Sequence, residues 1–275
     1  MPEQTDPDFL VNEQYSDASG LSTRIKIQKL YGTHPQSWFR WLFDRLHLRS
    51  HSRILELGCG PGDLWLENLD RLPEGLQISL SDLSVGMLRE ARKRLPGGQG
   101  PFHFSLVDAQ AITLQAGGLD AAIGIGLLDH VPDRVRALGE IQRVLRPGGI
   151  FYTATGGRSH LKEIEELVKP FVPGADYGGD PARFGLANGT KLLSPWFSEI
   201  QLHIHRDLLV FRNPEPIIAY VLSESSVRRS LVGEKLERFK HFVSGALEAQ
   251  GEIEVTTEKG LFYVRKGEAG SSRLV

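Results

Sequence analysis

The stretch that decides the fold is Arg53-Ile54-Leu55-Glu56-Leu57-Gly58-Cys59-Gly60-Pro61-Gly62-Asp63-Leu64-Trp65-Leu66. It reads as a short apolar strand, a glycine turn and the start of a helix. Glycine supplies positive φ where such a turn needs it and lets the backbone approach a ligand. The helix that follows offers free N–H groups at its start. Working outward, residues 78–82 predict a second strand, followed by a helix over 85–95 that stops at Pro96-Gly97-Gly98. Residues 102–107 and 119–125 predict strands three and four. A helix over 133–145 stops at Pro147-Gly148-Gly149, and residues 150–155 predict strand five. Strands alternating with helices over 50–156 predict βαβ units and a parallel sheet. In an open sheet of this kind ligands bind at the carboxyl ends of the strands, where the glycine turn lies.

The flanks differ. From Leu21 the apolar spacing Ile25, Ile27, Leu30, Tyr31 predicts a helix. Trp38, Trp41, Leu42, Phe43 and Leu46 predict a second one, separated from the first by Gly32-Thr33-His34-Pro35. Residues 1–20 are polar. After residue 156 the pattern predicts a helix over 160–168, a loop over 173–190, a strand over 200–205, and helices over 214–223 and 234–247. Two short strand-like runs follow over 252–264, around Lys259-Gly260, and then a polar tail. The first few residues and the tail read as disordered.

The chain has 275 residues, 40% apolar and 24% charged, with 32 basic and 34 acidic side chains and a formal charge of −2. That is enough chain for a sizeable core without disulfides or metal. A near-neutral chain has no global field for nucleic acid or an anionic membrane. One cysteine, Cys59, excludes an intrachain disulfide and a cysteine-rich zinc site. His203 and His205 share a strand face, but without a third ligand no metal is expected. The N-terminus lacks the basic and apolar regions of a signal peptide, and the longest apolar stretch, residues 119–128, is too short to cross a bilayer. These features predict a cytoplasmic protein that binds neither nucleic acid nor membrane, as a monomer or homodimer.

Three acids mark the expected ligand crevice. Glu56 ends the first strand. Asp82 ends the second, where a carboxylate can accept hydrogen bonds from both hydroxyls of a ribose. Asp108 follows the third, where it can accept from an adenine amino group. A nicotinamide dinucleotide, the alternative cofactor of an NAD(P)-dependent oxidoreductase, needs the spacing G-x-G-x-x-G. Here the last of those positions is Asp63, and an acid at the helix start opposes a pyrophosphate. A cofactor without phosphate suits the loop better.

With these residues in place, the chain resembles the class I S-adenosylmethionine-dependent methyltransferases. The match runs through residues 54–62, Ser81-Asp82-Leu83-Ser84 to Met87-Leu88, Asp108-Ala109, Leu119-Asp120 to His130-Val131-Pro132-Asp133, and Val144-Leu145-Arg146-Pro147-Gly148-Gly149. These five blocks occur in family order over residues 53–155, and they look most like methyltransferases of quinones and other small molecules. The resemblance implies a Rossmann-like, doubly wound α/β fold. Its sheet has seven mostly parallel strands with an antiparallel C-terminal strand, plus N-terminal helices and a helical lid insert. It implies an N-terminal cap over 1–50, a cofactor-binding core over 51–156, a lid insert with strands completing the same sheet over 157–266, and a tail over 267–275. All of these would form one structural domain.

The cofactor implied is S-adenosyl-L-methionine, leaving as S-adenosyl-L-homocysteine. Gly58, Cys59 and Gly60 would line its methionine part, with Glu56 near the amino group. Asp82 would hold the ribose, with Leu83 and Met87 beside the adenine and Asp108 and Ala109 at the adenine edge. Gly126 and Leu127 would lie by the sulfonium. Arg24 is a candidate partner for the cofactor carboxylate, and Tyr15 and Tyr31 for closing the pocket. His130 is the candidate catalytic base, its other reading being a pin for its own loop. A SAM-binding protein that does not methylate has the same pocket, because pocket and reaction are separable.

The segment Gly126-Leu127-Leu128-Asp129-His130 departs from the Asn/Asp-Pro-Pro-aromatic tetrapeptide of methyltransferases acting on nucleobase amines. The expected acceptor is a small-molecule metabolite with an O, N or C nucleophile. Phe171, Tyr177, Phe184, Trp196 and Phe197 are candidates for its aromatic lining, with core packing as the other reading. Trp38 and Trp41, three apart on one helical face, read as core, and Arg89, Arg92, Lys93 and Arg94 as a solvated face.

Overall fold

In the computed structural model, which describes residues 5–96, 100–175, 177 and 183–268, seven strands form a single sheet. They are β1 (Arg53–Leu57), β2 (Gln77–Asp82), β3 (Phe102–Leu106), β4 (Leu119–Ile125), β5 (Leu145–Gly156), β6 (Glu199–Phe211) and β7 (Ile253–Arg265). Their spatial order is β3-β2-β1-β4-β5-β7-β6. β7 runs antiparallel to both of its neighbours, and the other pairings are parallel. The winding reverses between β1 and β4, which makes the end of β1 the switch point where a crevice opens.

The helices are α1 (Pro7–Phe9), α2 (Ser19–Tyr31), α3 (Trp38–Phe43), α4 (Asp63–Leu66), α5 (Val85–Arg94), α6 (Arg134–Val144), α7 (Lys162–Val168), α8 (Gly189–Leu193), α9 (Pro214–Leu222), α10 (Ser225–Ser230) and α11 (Gly233–Gln250), with a π-helical turn at Leu10–Gln14. β1 and β4 are buried along almost their whole length because both of their faces are covered. One core layer joins Trp41, Leu42 and Trp65 to β1 and β2, and the opposite layer packs Leu138 and Ile141 of α6 against Leu55 and Phe151. A third cluster, with Ile27, Phe211, Tyr220, Phe239 and Val255, packs α2, α9 and α11 against the β6–β7 end.

The structure departs from the sequence reading in five places. Residues 7–14 are helical, with Phe9 and Leu10 buried among polar neighbours too dense to show an apolar period. β5 starts at Leu145 and runs through Pro147-Gly148-Gly149. Those residues join the sheet because Leu145 pairs with Leu119, Gly148 N–H donates to the Lys266 carbonyl, and Lys266 N–H donates to the Gly149 carbonyl. β7 is one strand rather than two runs, since Lys259 pairs with both Gly156 and His205. β6 extends to Phe211. The short helices α8 and α10 fall where no period was visible. Residues 1–4, most of the tail and part of the 173–190 loop lie outside the described residues.

The N-terminal segment reaches the sheet edge through one close approach. A Cβ on Gly86, in the first turn of α5, would lie 1.9 Å from the Ser16 carbonyl oxygen. The backbone of residues 15–17 therefore packs where only glycine leaves room. Gly86→Ala is expected to leave the sheet folded but push residues 5–18 off α5, at a cost of about 1–3 kcal/mol. Limited proteolysis checks this: faster cleavage within 5–18 in the variant is the expected result.

Candidate active site

The carboxyl ends of the parallel strands open on a cavity of about 630 Å³. It brings together the residues singled out in the sequence. Glu56, Gly58, Cys59 and Gly60 line it from β1 and its turn, and Asp82, Leu83 and Met87 from β2 and α5. Asp108 and Ala109 follow β3, while Gly126, Leu127 and His130 follow β4. Tyr15 and Arg24 close it from the N-terminal side, but Tyr31 does not reach it and packs on Phe211.

The turn adopts positive φ at Gly58 (68°), Gly60 (53°) and Gly62 (82°), where a side chain would be strained. Asp82 fastens it. Its Oδ2 accepts from Gly60 N–H at 2.9 Å and its Oδ1 from Ser84 N–H at 2.8 Å. Ser84, not Asp82, caps α5 by accepting from Met87 N–H at 3.1 Å. A carboxylate has about four acceptor positions, so each Asp82 oxygen keeps capacity for a ligand hydroxyl. Burial raises the Asp82 carboxyl above its ordinary range, against the backbone N–H bonds that pull it down.

Glu56 is 2% exposed and accepts a hydrogen bond from the Trp65 indole. Burial pushes its carboxyl up to about 8, the nearby Asp82 and Asp63 adding to this and the Trp65 bond opposing it. Asp63 is clamped by Arg94 at 2.6 and 2.9 Å, so Arg94 belongs to this ion pair and not to the solvated face of α5. Asp108 Oδ1 accepts from Gln110 N–H at 2.8 Å and shapes its own turn. Cys59 is buried, and burial raises its thiol well above the usual range.

Tyr15 bridges two elements. Its carbonyl accepts from Ser84 Oγ at 2.6 Å, and its hydroxyl lies 3.3 Å from His130 Nε2. Burial pushes the phenol up to about 12, so it stays protonated. Arg24 donates to the Ser223 carbonyl at 3.1 Å and pairs with Glu224 at 3.4 Å, while Glu224 also accepts from Gln14 at 3.0 Å. These contacts tie the N-terminal segment to α9 and α10.

Several residues that line the cavity are not assigned to it by the sequence reading. Asp129 presents a buried Oδ1 that has no partner among the described residues. His160, His205, Lys259 and Trp38 line the far end. Trp38 thus faces the cavity rather than serving only as core, although it stacks on Trp41 at 5.4 Å. Of the five aromatic candidates, Tyr177 lines the cavity. Phe171 instead packs on Phe239, Phe184 on Phe262 and Phe197 on Phe151, and Trp196 covers Gly139 of α6. No group of three or more His, Cys, Asp or Glu side chains suited to a metal occurs among the described residues. No helix among them is long and apolar enough to cross a membrane.

Residues 54–149 match the family model "Methyltransferase domain". The chain is 32% identical over 131 residues to malonyl-[acyl-carrier protein] O-methyltransferase of Enterobacter lignolyticus, covering 46% of this chain and 47% of that protein. The Geobacter sulfurreducens protein of the same name is 28% identical over 207 residues, covering 68% of this chain and 77% of that one. The chain thus spans about half the length of the first of these relatives. Among solved structures, phosphoethanolamine N-methyltransferase 2 of Haemonchus contortus superposes with a TM-score of 0.59 at 19% identity, covering 95% of this chain and 60% of that one. Through the domain matched over residues 54–149 the chain is similar to the class I S-adenosylmethionine-dependent methyltransferases, and S-adenosylmethionine is the cofactor of that class.

The raised Glu56 carboxyl makes stability depend on pH. Its ordinary value is 4.5 and the folded value about 8, so the folded state holds a proton that the unfolded state releases between them. Stability is therefore expected to fall as pH rises from 4.5 toward 8, by up to ~1.4 kcal/mol per pH unit from this group. Urea unfolding of wild type and Glu56→Gln across that range checks it: the variant should lack this part of the slope.

Proposed function

We propose that the chain binds S-adenosylmethionine at the glycine-turn end of the cavity and methylates a small molecule held at the other end. The observation that carries this is the charge of the lining. Asp82, Asp108 and Asp129 face the cavity around the glycine turn beside Glu56, whose buried carboxyl keeps its proton up to about pH 8, and the Asp129 Oδ1 is buried without a partner among the described residues. Such a wall suits a cationic ligand and opposes a pyrophosphate, so it favours a sulfonium cofactor over a nicotinamide dinucleotide.

When bound, S-adenosylmethionine supplies a methyl group activated by the sulfonium charge. The residues to hold it are those named from the resemblance. Asp82 accepts from the ribose hydroxyls, Leu83 and Met87 flank the adenine, and Asp108 and Ala109 meet its edge. Glu56, Gly58, Cys59 and Gly60 surround the methionine part, with Gly126 and Leu127 near the sulfonium. Arg24, already paired with Glu224, borders the same space.

The rest of the protein's work is orientation. An in-line displacement needs the acceptor nucleophile aligned and water excluded, and roughly 7–11 kcal/mol is available from well-placed reactants. Residues 5–18, with Leu161, Tyr177 and Tyr220 from beyond β5, act as the cover. Of the two roles open to His130, proton acceptor and loop anchor, the contact of its Nε2 with the Tyr15 hydroxyl favours the anchor.

Two measurements test this reading. Titration of S-adenosylhomocysteine by calorimetry should give a saturable site that Asp82→Ala weakens by about 1.5–3 kcal/mol per hydrogen bond lost. Incubation of methyl-labelled cofactor with a metabolite extract of the source cells should put label in the low-molecular-weight fraction. Unchanged affinity in the variant, or label confined to nucleic acid or protein, would refute it.

A further inference from the structure

The far end of the cavity has the opposite chemistry from the glycine turn. Lys259 projects from β7 into it, beside the end of β5, where it pairs with Gly156. Its Nζ donates to Gln28 Oε1 at 2.8 Å and sits 4.5 Å from the centre of the Trp38 ring. It has no carboxylate partner within ion-pair distance among the described residues, the attraction of Asp207 being longer-ranged. An ammonium enclosed by protein without a counter-ion is costly, and burial pulls Lys259 down to about 7.

Two histidines face the same space. His205, 3% exposed, lies opposite Lys259 in the β6–β7 register, ringed by His34, Trp38 and Trp41, and both of its ring nitrogens lack partners among the described residues. His160 from the β5–α7 connection lines the cavity with its Nδ1 likewise unpartnered, and it feels the Lys259 charge. Buried polar groups are normally satisfied, so several unused nitrogens at one place leave room for an acceptor-rich ligand. Adjacent strands are spaced about 4.8 Å apart, and β7 is two strands from β4. This end therefore lies about 10 Å across the sheet from the segment after β4, within the span of one small molecule.

Resting on the methyltransferase reading above, we propose that this end of the cavity is the methyl-acceptor subsite and that it takes an acceptor bearing a negatively charged oxygen. The oxygen sits on the Lys259 ammonium, with His205 and His160 as further donors. The acceptor body lies against Leu209, Leu161 and Tyr177, which also line the cavity. A cationic acceptor is excluded even though Trp38 offers a π face, because Lys259 already occupies that face. The two ends of the cavity thus sort their ligands by charge.

The test is charge preference in protein saturated with S-adenosylhomocysteine. The probes are matched pairs, benzoate with benzamide and 2-naphthoate with 2-naphthamide, followed by ligand-observed NMR and calorimetry. Wild type is expected to bind the carboxylates at least ten-fold more tightly than their amides. Lys259→Met should erase that preference, and Lys259→Arg should keep most of it. Amides binding as well as carboxylates, no binding of any probe, or a preference that survives in Lys259→Met would overturn the proposal. S-adenosylhomocysteine affinity and melting temperature are measured on each variant first. A protein that fails to bind S-adenosylhomocysteine refutes the methyltransferase reading, whereas normal cofactor binding with no charge preference refutes the acceptor subsite alone.

Discussion

The carboxylate of Asp82 holds the site together. It joins the glycine turn after β1 to the start of α5 by accepting from Gly60 and Ser84 at once. Neither bond is made by the regular sheet, and both are to backbone N–H groups that would otherwise face the crevice. Ser84, so positioned, caps α5 and donates to the Tyr15 carbonyl. Tyr15 in turn meets His130 beyond β4. A chain of short contacts thus runs from one carboxylate through β2, the N-terminal segment and the β4 loop. A ligand that uses the remaining acceptor capacity of Asp82 engages the group that orders its own binding site.

The sheet order explains why two ligands of opposite charge can meet. The acids stand at or just beyond the ends of β1, β2, β3 and β4, around the switch point, while Lys259 and His205 stand on β7 and β6 toward the other edge. An antiparallel β7 inserted between β5 and β6 brings residues near the C-terminus to the carboxyl edge of the parallel strands. The reversed strand contributes Lys259 from its middle, where both flanking strands hold the backbone. Its ammonium is held at the cavity by Gln28 and the face of Trp38.

The cofactor end was legible in the sequence because its elements are local. Strand, glycine turn and helix fall within 53–66, and Glu56, Asp82 and Asp108 each lie at or just beyond the end of a strand that the sequence predicts. Tyr15 and Arg24 were legible only as candidates, since their partners Ser84, His130 and Glu224 lie 69, 115 and 200 residues away. The far end is not legible in the sequence, for a physical reason. Lys259-Gly260 looks like a turn between two short strands, because a charge next to glycine is the usual turn signal. In the folded chain Gly260 is instead a close-packing position, where a Cβ would lie 2.6 Å from Leu186 Cδ2, and Lys259 is a strand residue facing the cavity. Trp38 is similar, since helical spacing shows which residues share a face but not what that face meets.

The most direct measurement of the central claim is a crystal structure of the chain with S-adenosylhomocysteine. The account predicts both ribose hydroxyls within hydrogen-bonding distance of Asp82, the amino acid part along Gly58 to Gly60, and the space beside Lys259 left open. A ribose held elsewhere, or a cofactor lying across Lys259 and His205, would contradict it.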